Sequence, residues 1–284
     1  MFLTINGVTI ELENLSDAQA NEIRGQLRKS LSNPTLPPRQ AIYQAFALGT
    51  QSAPSANPSD IWHHIIYREY LQAGPELRRM NSASQSWVRA SGDALELFWA
   101  QRYNERLADF KVRVIPLFGA EDASRALAAM GINAVVTGSK LDLAIWLGDE
   151  IIGGIHSKVS LAERVSDDVP ASRAMMERGY LSILATLDVK SFPLSAIVRE
   201  ARAYINRGEL GTRELPSDKR LYVERDGFFD LCASFNYRTV PTPPDADVVK
   251  RIYTIHLDEA GPDAIEKSIR ARAADFAAPA AAPS

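Results

Sequence analysis

Cysteine is almost missing: Cys232 is the one thiol in a chain of 284 residues. A lone thiol excludes an internal disulfide framework, and with no Cys-x-x-Cys pair it also argues against structural zinc. Set among apolar neighbours, Cys232 reads as a small buried hydrophobe rather than a nucleophile. Long apolar runs are missing too. None reaches the roughly 18 residues that a membrane span needs, and the first residues lack a signal-peptide pattern. Both points, with the reduced thiol, lead to the expectation of a cytoplasmic protein with no membrane partner. Nor is there an excess of positive charge, since the formal net charge is −3. A broad basic face, the usual footprint of nucleic-acid binding, is therefore not expected, and any such patch has to be local.

What the chain has is the material of a folded core: 46% of residues are hydrophobic and 24% charged, close to the globular average. Phe2-Leu3-Thr4-Ile5, Asn6-Gly7 and Val8-Thr9-Ile10-Glu11-Leu12 read as a hairpin, because Asn-Gly between two alternating runs favours a tight turn. Ser16-Asp17 caps a helix through Leu31. Segments 32–38 and 51–59 read as linkers, with a short helix around Trp62 to Leu71. A longer helix is predicted from Ser84 to about Phe110, its buried stripe being Leu95, Trp99, Tyr103 and Leu107. Short strands and helices then alternate. Strands are expected at Lys111 to Pro116, Lys140 to Leu147, Glu150 to Ser160, Leu181 to Val189, Arg220 to Glu224, Phe228 to Tyr237 and Arg251 to His256. Helices are expected at Ala120 to Met130, Pro170 to Gly179, Phe192 to Asn206 and Pro262 to Phe276. This order predicts an α/β fold with a mixed central sheet flanked by helices. The expected division is a mostly helical N-terminal part over 1–80, an α/β domain over 81–276 and a disordered Ala/Pro tail over 277–284.

The chemistry is concentrated on two predicted strands joined at Gly148-Asp149. In the first, Leu141, Leu143 and Ile145 are expected on one face, with Asp142, Ala144 and Trp146 on the other. A carboxylate on so apolar a strand needs a partner or a cation. In the second, His156, Lys158 and Ser160 share a face. The short connection makes the strands antiparallel neighbours, which brings Lys158 toward Asp142. Such a pair is the minimal set for metal-assisted phosphodiester hydrolysis: the carboxylate holds a divalent cation, and the ammonium orients water and stabilises developing charge. A buried Asp–Lys ion pair fits the same spacing equally well, and spacing alone does not choose between them.

The residues that follow bear on that choice. The stretch Lys158-Val159-Ser160-Leu161-Ala162-Glu163-Arg164-Val165-Ser166-Asp167-Asp168-Val169-Pro170-Ala171-Ser172 resembles the PD-(D/E)XK restriction endonucleases, specifically the BsaWI-like members that cut CCGG-containing sites. Leu141-Asp142 matches the family's Pro-Asp position and Lys158 its lysine. Ser160-Leu161-Ala162-Glu163-Arg164 is similar to the Thr-Leu-Arg-Glu-Arg segments of relatives. Thr186 to Pro193 and Asn206 to Leu210 are similar to BsaWI-like sequences as well. The likeness spans residues 84–240 or so, making 81–276 the expected catalytic domain.

That resemblance implies a type II enzyme of a restriction-modification system that cuts double-stranded DNA with Mg²⁺, at a short palindrome with a CCGG-like core. A palindromic target implies a homodimer or higher homo-oligomer. It also implies two further carboxylates. One comes from a preceding helix, where Glu96 stands between the small residues Gly92 and Ala100. The other comes from a later helix, because His156 replaces the acid usually found two residues before the lysine. Glu163, Asp167, Asp168 and Glu177 are the candidates for it. Asp168 is preferred, as a metal ligand with Asp142, although Asp167 or Asp168 also suits a helix cap.

Glu163 and Arg164 suit a C·G pair, since Arg donates twice to guanine and Glu accepts from cytosine. Arg173, with Arg225, Asn236 and Arg238 behind it, suits outer bases or phosphates. Ala162 stands where relatives carry arginine, which leaves the recognised sequence open. Two other readings remain: another PD-(D/E)XK nuclease of the repair or structure-specific kind, and a non-enzymatic α/β interaction protein. Remaining signals are weak. Gly138-Ser139-Lys140 lacks the upstream glycine of a phosphate loop. Adjacent His63 and His64 cannot share a helical face, and His156 and His256 read as buried, hydrogen-bonded histidines.

Overall fold

The computed structural model describes residues 1–5, 7–78, 82–138, 140–161, 165–190 and 207–277. The predicted hairpin is present as β1 (Phe2–Ile5) and β2 (Val8–Glu11), paired antiparallel. Helix α1 (Asp17–Leu31) starts where its cap requires. Ser16 accepts from the Gln19 N–H while Gln19 accepts from the Ser16 N–H, a reciprocal capping box. Helix α2 (Pro38–Ser52) begins at a proline, whose missing N–H costs nothing in the first turn. The helix read around Trp62 is a composite: α3 (Pro58–Asp60), a π-helical turn (Ile61–Tyr67) and α4 (Arg68–Gln72). A short α5 (Pro75–Arg78) precedes α6 (Ala83–Arg106), the long predicted helix. Leu95, Trp99, Tyr103 and Leu107 are all fully buried, as their spacing required.

The second part is β3 (Val112–Pro116), α7 (Ala120–Ala129), α8 (Ala134–Thr137), β4 (Leu143–Leu147), β5 (Glu150–Lys158), α9 (Val165–Glu177), β6 (Leu181–Thr186), α10 (Asp218–Glu224), β7 (Leu231–Ser234), β8 (Arg251–Thr254) and α11 (Ala264–Ala277). Among the described residues the strands form one six-stranded mixed sheet in sequence order, antiparallel from β3 to β5 and parallel from β5 to β8. Alternation along the strands assigns the faces. Leu181, Ile183 and Ala185, with Leu231 and Ala233, join α6 and α11 in one large apolar cluster. That cluster extends without a break into α1, α2 and the π-helical turn, so the N-terminal helices share the core of the sheet. On the opposite face, Leu184, Cys232 and Ile252 pack with Val165 and Val223. Ala144 and Ile151 pack with Leu127 and Met175. Cys232 is the buried hydrophobe its context indicated, and burial pushes its thiol well up.

Several expectations are corrected. Arg220 to Glu224 is helical, not a strand. Ser217 caps the segment by accepting from the Arg220 N–H, and Arg220 pairs with Glu224 four residues on. Helix α9 starts at Val165, before the expected Pro170, and holds Pro170 inside it at the cost of one ladder hydrogen bond. Leu141 does not share the face of Leu143. It precedes β4 and packs with Ala144 and Met175, over Gly154. A Cβ on Gly154 would lie 2.5 Å from Leu141 Cδ1, so only glycine leaves room for that crossing. The helix expected at Phe192 to Asn206 and nearly all of the tail lie outside the described residues.

Candidate active site

Asp142 sits at the entry to β4. Its backbone carbonyl accepts from Leu117 N–H at 2.9 Å, which ties it to the loop after β3. Its carboxylate accepts from the Ser157 N–H at 2.7 Å and from Lys158 Nζ at 2.9 Å. Lys158 ends β5, and its ammonium is also 3.0 Å from Asp168 Oδ2 on α9. Two strand ends and one helix therefore meet at a single nitrogen. Ser157 is fixed from behind, where Trp99 Nε1 of α6 donates to its hydroxyl at 3.1 Å. The structure thus brings three of the sequence candidates, Asp142, Lys158 and Asp168, into direct contact.

Glu96 joins them from α6. It is buried, and its Oε2 has no hydrogen-bond partner among the described residues. A Cβ on Gly92, one turn earlier, would meet nothing within 4 Å, so the helix leaves open space beside the carboxyl. Burial first, then the nearby charges of Asp142 and Asp93, push Glu96 up to about 9. Lys158 and Arg39 pull against that rise without overcoming it. The other acids behave differently. Burial alone would raise Asp168, but His156 and Lys158 hold it below the usual carboxylate range. For Lys158, burial works downward, and the two carboxylates outweigh it to leave the ammonium firmly charged.

His156 is fully buried against Phe229, and its Nδ1 stands 3.8 Å from Asp168 Oδ1. That is too long for a hydrogen bond, so the expectation of a hydrogen-bonded histidine does not hold among the described residues. Arg173 is not part of the cluster. Helix α9 carries it away from Lys158 to the starting ends of β6 and β7, where it lies over Phe228 and faces Glu177 on the surface. Glu163 and Arg164 lie outside the described residues. Arg225 is a surface residue paired with Asp226, Asn236 is buried and donates to the Asp188 carbonyl, and Arg238 forks onto Asp60.

Three neighbours escaped the sequence reading. Arg39 of α2 pairs with Asp93 of α6 at 3.1 Å and lies over the Phe118 ring, bringing the N-terminal part to the edge of the site. Glu209 accepts from Ser160 Oγ at 2.6 Å and from the Leu161 N–H at 2.9 Å, pinning the chain just beyond Lys158. Asp188 accepts the Glu209 N–H and the Thr239 hydroxyl, and burial pushes it up to about 7. Asp188 and Glu209 fall in the segments 186–193 and 206–210 that resemble BsaWI-like sequences, but no local pattern gives them or Arg39 a role, since each acts across the fold.

The oxygen-only donor set of Asp142, Asp168 and Glu96 fits a hard divalent cation, and the unpartnered Glu96 oxygen is the kind of group that a cation would satisfy. Among the described residues no group of three or more His, Cys, Asp or Glu stands ready-made for a metal. Magnesium does not demand one, because it is commonly held by one or two carboxylates plus substrate phosphate. No helix is long and apolar enough to cross a membrane, among the described residues.

No family model matches the chain. It is 43% identical over 254 residues to the type II restriction enzyme AgeI of Thalassovita gelatinovora, a match covering 86% of this chain and 88% of that protein. Its structure superposes on that of a specific complex of AgeI with DNA at a TM-score of 0.82, with 40% identity, over 96% of this chain and 99% of the other. A complex of BsaWI with DNA, described as pre-specific, gives a TM-score of 0.43 at 18% identity, and no conclusion rests on it.

Proposed function

This chain belongs to the type II restriction enzymes, site-specific DNA endonucleases, and from that premise we propose that Asp142, Lys158, Asp168 and Glu96 are its catalytic group. The observation that carries the reading is the Lys158 ammonium held between the Asp142 and Asp168 carboxylates, with the buried Glu96 nearby, whose Oε2 has no hydrogen-bond partner among the described residues. Asp142 and Asp168 are the residues that would hold Mg²⁺. When bound, the metal polarises the scissile phosphate and acidifies a water. Lys158 orients the attacking water and stabilises the charge that grows on the phosphate. The Ser157 N–H holds Asp142 in place throughout. Glu96 supplies a further carboxylate once it loses its proton, and the gap beside Gly92 leaves it room to do so.

The substrate is double-stranded DNA. A short palindrome with a CCGG-like core is supported by the likeness of residues 158–172 to the BsaWI-like group and by the aptness of Glu163 and Arg164 for a C·G pair. A palindrome calls for two active sites related by a two-fold axis, hence a homodimer or a larger homo-oligomer. The test is digestion of plasmid DNA of known sequence with Mg²⁺. The wild-type protein should give discrete fragments, and Asp142→Ala should bind the same site without cutting. Cleavage retained by Asp142→Ala would refute the assignment, and a smear in place of fragments would refute the site specificity.

A further inference from the structure

A second feature lies away from the catalytic group and shares no residue with it. The hairpin, α1 and α4 enclose a cleft of about 380 Å³ whose lining includes Arg24, Arg28, His64, Arg68 and Glu69. Three guanidinium groups face one carboxylate there. Glu69 is committed to Arg28, 3.3 Å from its Nε. Arg24 donates to the neutral side chain of Asn21 at 3.0 Å and makes no ion pair among the described residues. Arg68 is the unusual member. Its Nε is buried without a hydrogen-bond partner among the described residues, and a buried unpaired cationic donor is costly unless an anion completes it.

Burial first, then His64 and Arg68, hold the neighbouring His63 down at about 4, so even an imidazole next to the cleft stays neutral. The segment that supplies His64 and leads straight into Arg68 is the π-helical turn, a geometry met disproportionately at functional sites. Guanidinium forks match the oxygens of phosphate groups in shape and charge.

We propose that the Arg24–Arg28–Arg68 cleft is a phosphate-binding site separate from the catalytic centre. Two sources share that chemistry: a phosphodiester of the bound duplex, and a free phosphate ion. Two measurements on the full chain distinguish them, using wild type, the Arg24→Gln/Arg68→Gln double variant and Glu69→Gln. The first is thermal unfolding in inorganic phosphate against chloride at equal ionic strength. The second is the salt dependence of binding to a duplex containing the cleavage site, without divalent metal.

If the duplex supplies the phosphate, the slope of log K against log salt becomes shallower by about one for each arginine–phosphate pairing that the double variant removes. If free phosphate binds, it raises the wild-type Tm and fails to raise that of the double variant, while the salt slopes coincide. Under either source Glu69→Gln tightens binding, because it removes the one competing carboxylate. A double variant that matches wild type in both the phosphate-induced shift and the salt slope overturns the proposal. Phosphate gained at the catalytic centre would survive the double substitution and so count against the cleft. The Tm of each variant in chloride reports folding separately.

Discussion

Glu96→Gln should make the protein more stable and inactive, and the size of the gain should depend on pH in a defined way. In the folded chain the Glu96 carboxyl is pushed from 4.5 to about 9, by burial and then by Asp142 and Asp93. Between those values the unfolded chain is ionised there and the folded chain is not. The unfolded state therefore binds fewer protons, and stability falls as pH rises through this window. The loss is about 1.4 kcal/mol per pH unit, so at pH 7 it amounts to about 3 kcal/mol, rising to about 6 near pH 9.

Glutamine is neutral in both states and escapes this loss. An amide and a protonated carboxyl are both uncharged dipoles of similar size, so their burial costs nearly cancel. Urea denaturation without divalent metal, from pH 5 to pH 9, measures the difference if the slope m is unchanged by the substitution. The curves for wild type and Glu96→Gln should draw together toward pH 5 and separate steadily above it, with the variant on the stable side. A variant that is less stable, or a difference that does not move with pH, would refute the reasoning. The plasmid assay then supplies the functional half: the more stable protein should not cut.

Lys158→Met leaves the Asp142 and Asp168 carboxylates without their shared cation. It should cost about 3–5 kcal/mol, as removal of one partner from a buried ion pair does. Cleavage at the wild-type rate by this variant would end the proposed role of Lys158. Arg164→Ala should weaken discrimination by about 1–3 kcal/mol at one base pair of the site, read from cleavage of singly substituted duplexes. Uniform loss across all of them would mark a phosphate contact instead. Gly208→Ala should destabilise by about 1 kcal/mol or more, because φ is +85° there and the new Cβ runs into the Asp188 carboxylate. A neutral result in urea denaturation would show that the acid can move aside.

The Asp142–Lys158 pair was legible because the short Gly148-Asp149 connection permits only antiparallel neighbours. The pairing itself was not fully legible. A register shift between Ile145 and Trp146 inserts an extra residue into β5, which no local pattern signals. Leu141 was assigned to the wrong face for a related reason: strand alternation stops at Leu143, and the space over Gly154 decides where Leu141 goes. Arg220 to Glu224 was misread because Leu221 and Val223 alternate with polar residues, as a strand would. What wins is the Ser217 cap together with the fully buried Arg220, whose guanidinium is satisfied by Glu224 and by the carbonyls of Leu210, Gly211 and Val240. Those carbonyls come from distant loops, beyond the reach of periodicity.

Which of Asp167, Asp168 and Glu177 faces Lys158 turns on where α9 begins; Glu163 lies outside the described residues. Counted from Pro170, Asp168 precedes the helix and is preferred only as an acid near its start, while Asp167 or Asp168 serves equally well as a cap. Counted from Val165, the buried positions fall at Val165, Asp168, Ala171, Ser172 and Met175, the three- and four-residue spacing of a single inward stripe. Asp167 and Glu177 then face solvent, and Asp168 is the acid on that stripe, one turn above the end of β5 where Lys158 waits. An apolar stripe anchored on Val165 and Met175 was present in the sequence. Burial of that stripe outweighs the preference of proline for a helix's first turn, so α9 starts five residues before Pro170. The same count sets the position of Arg173. It falls between the inward positions, on a face turned away from the sheet.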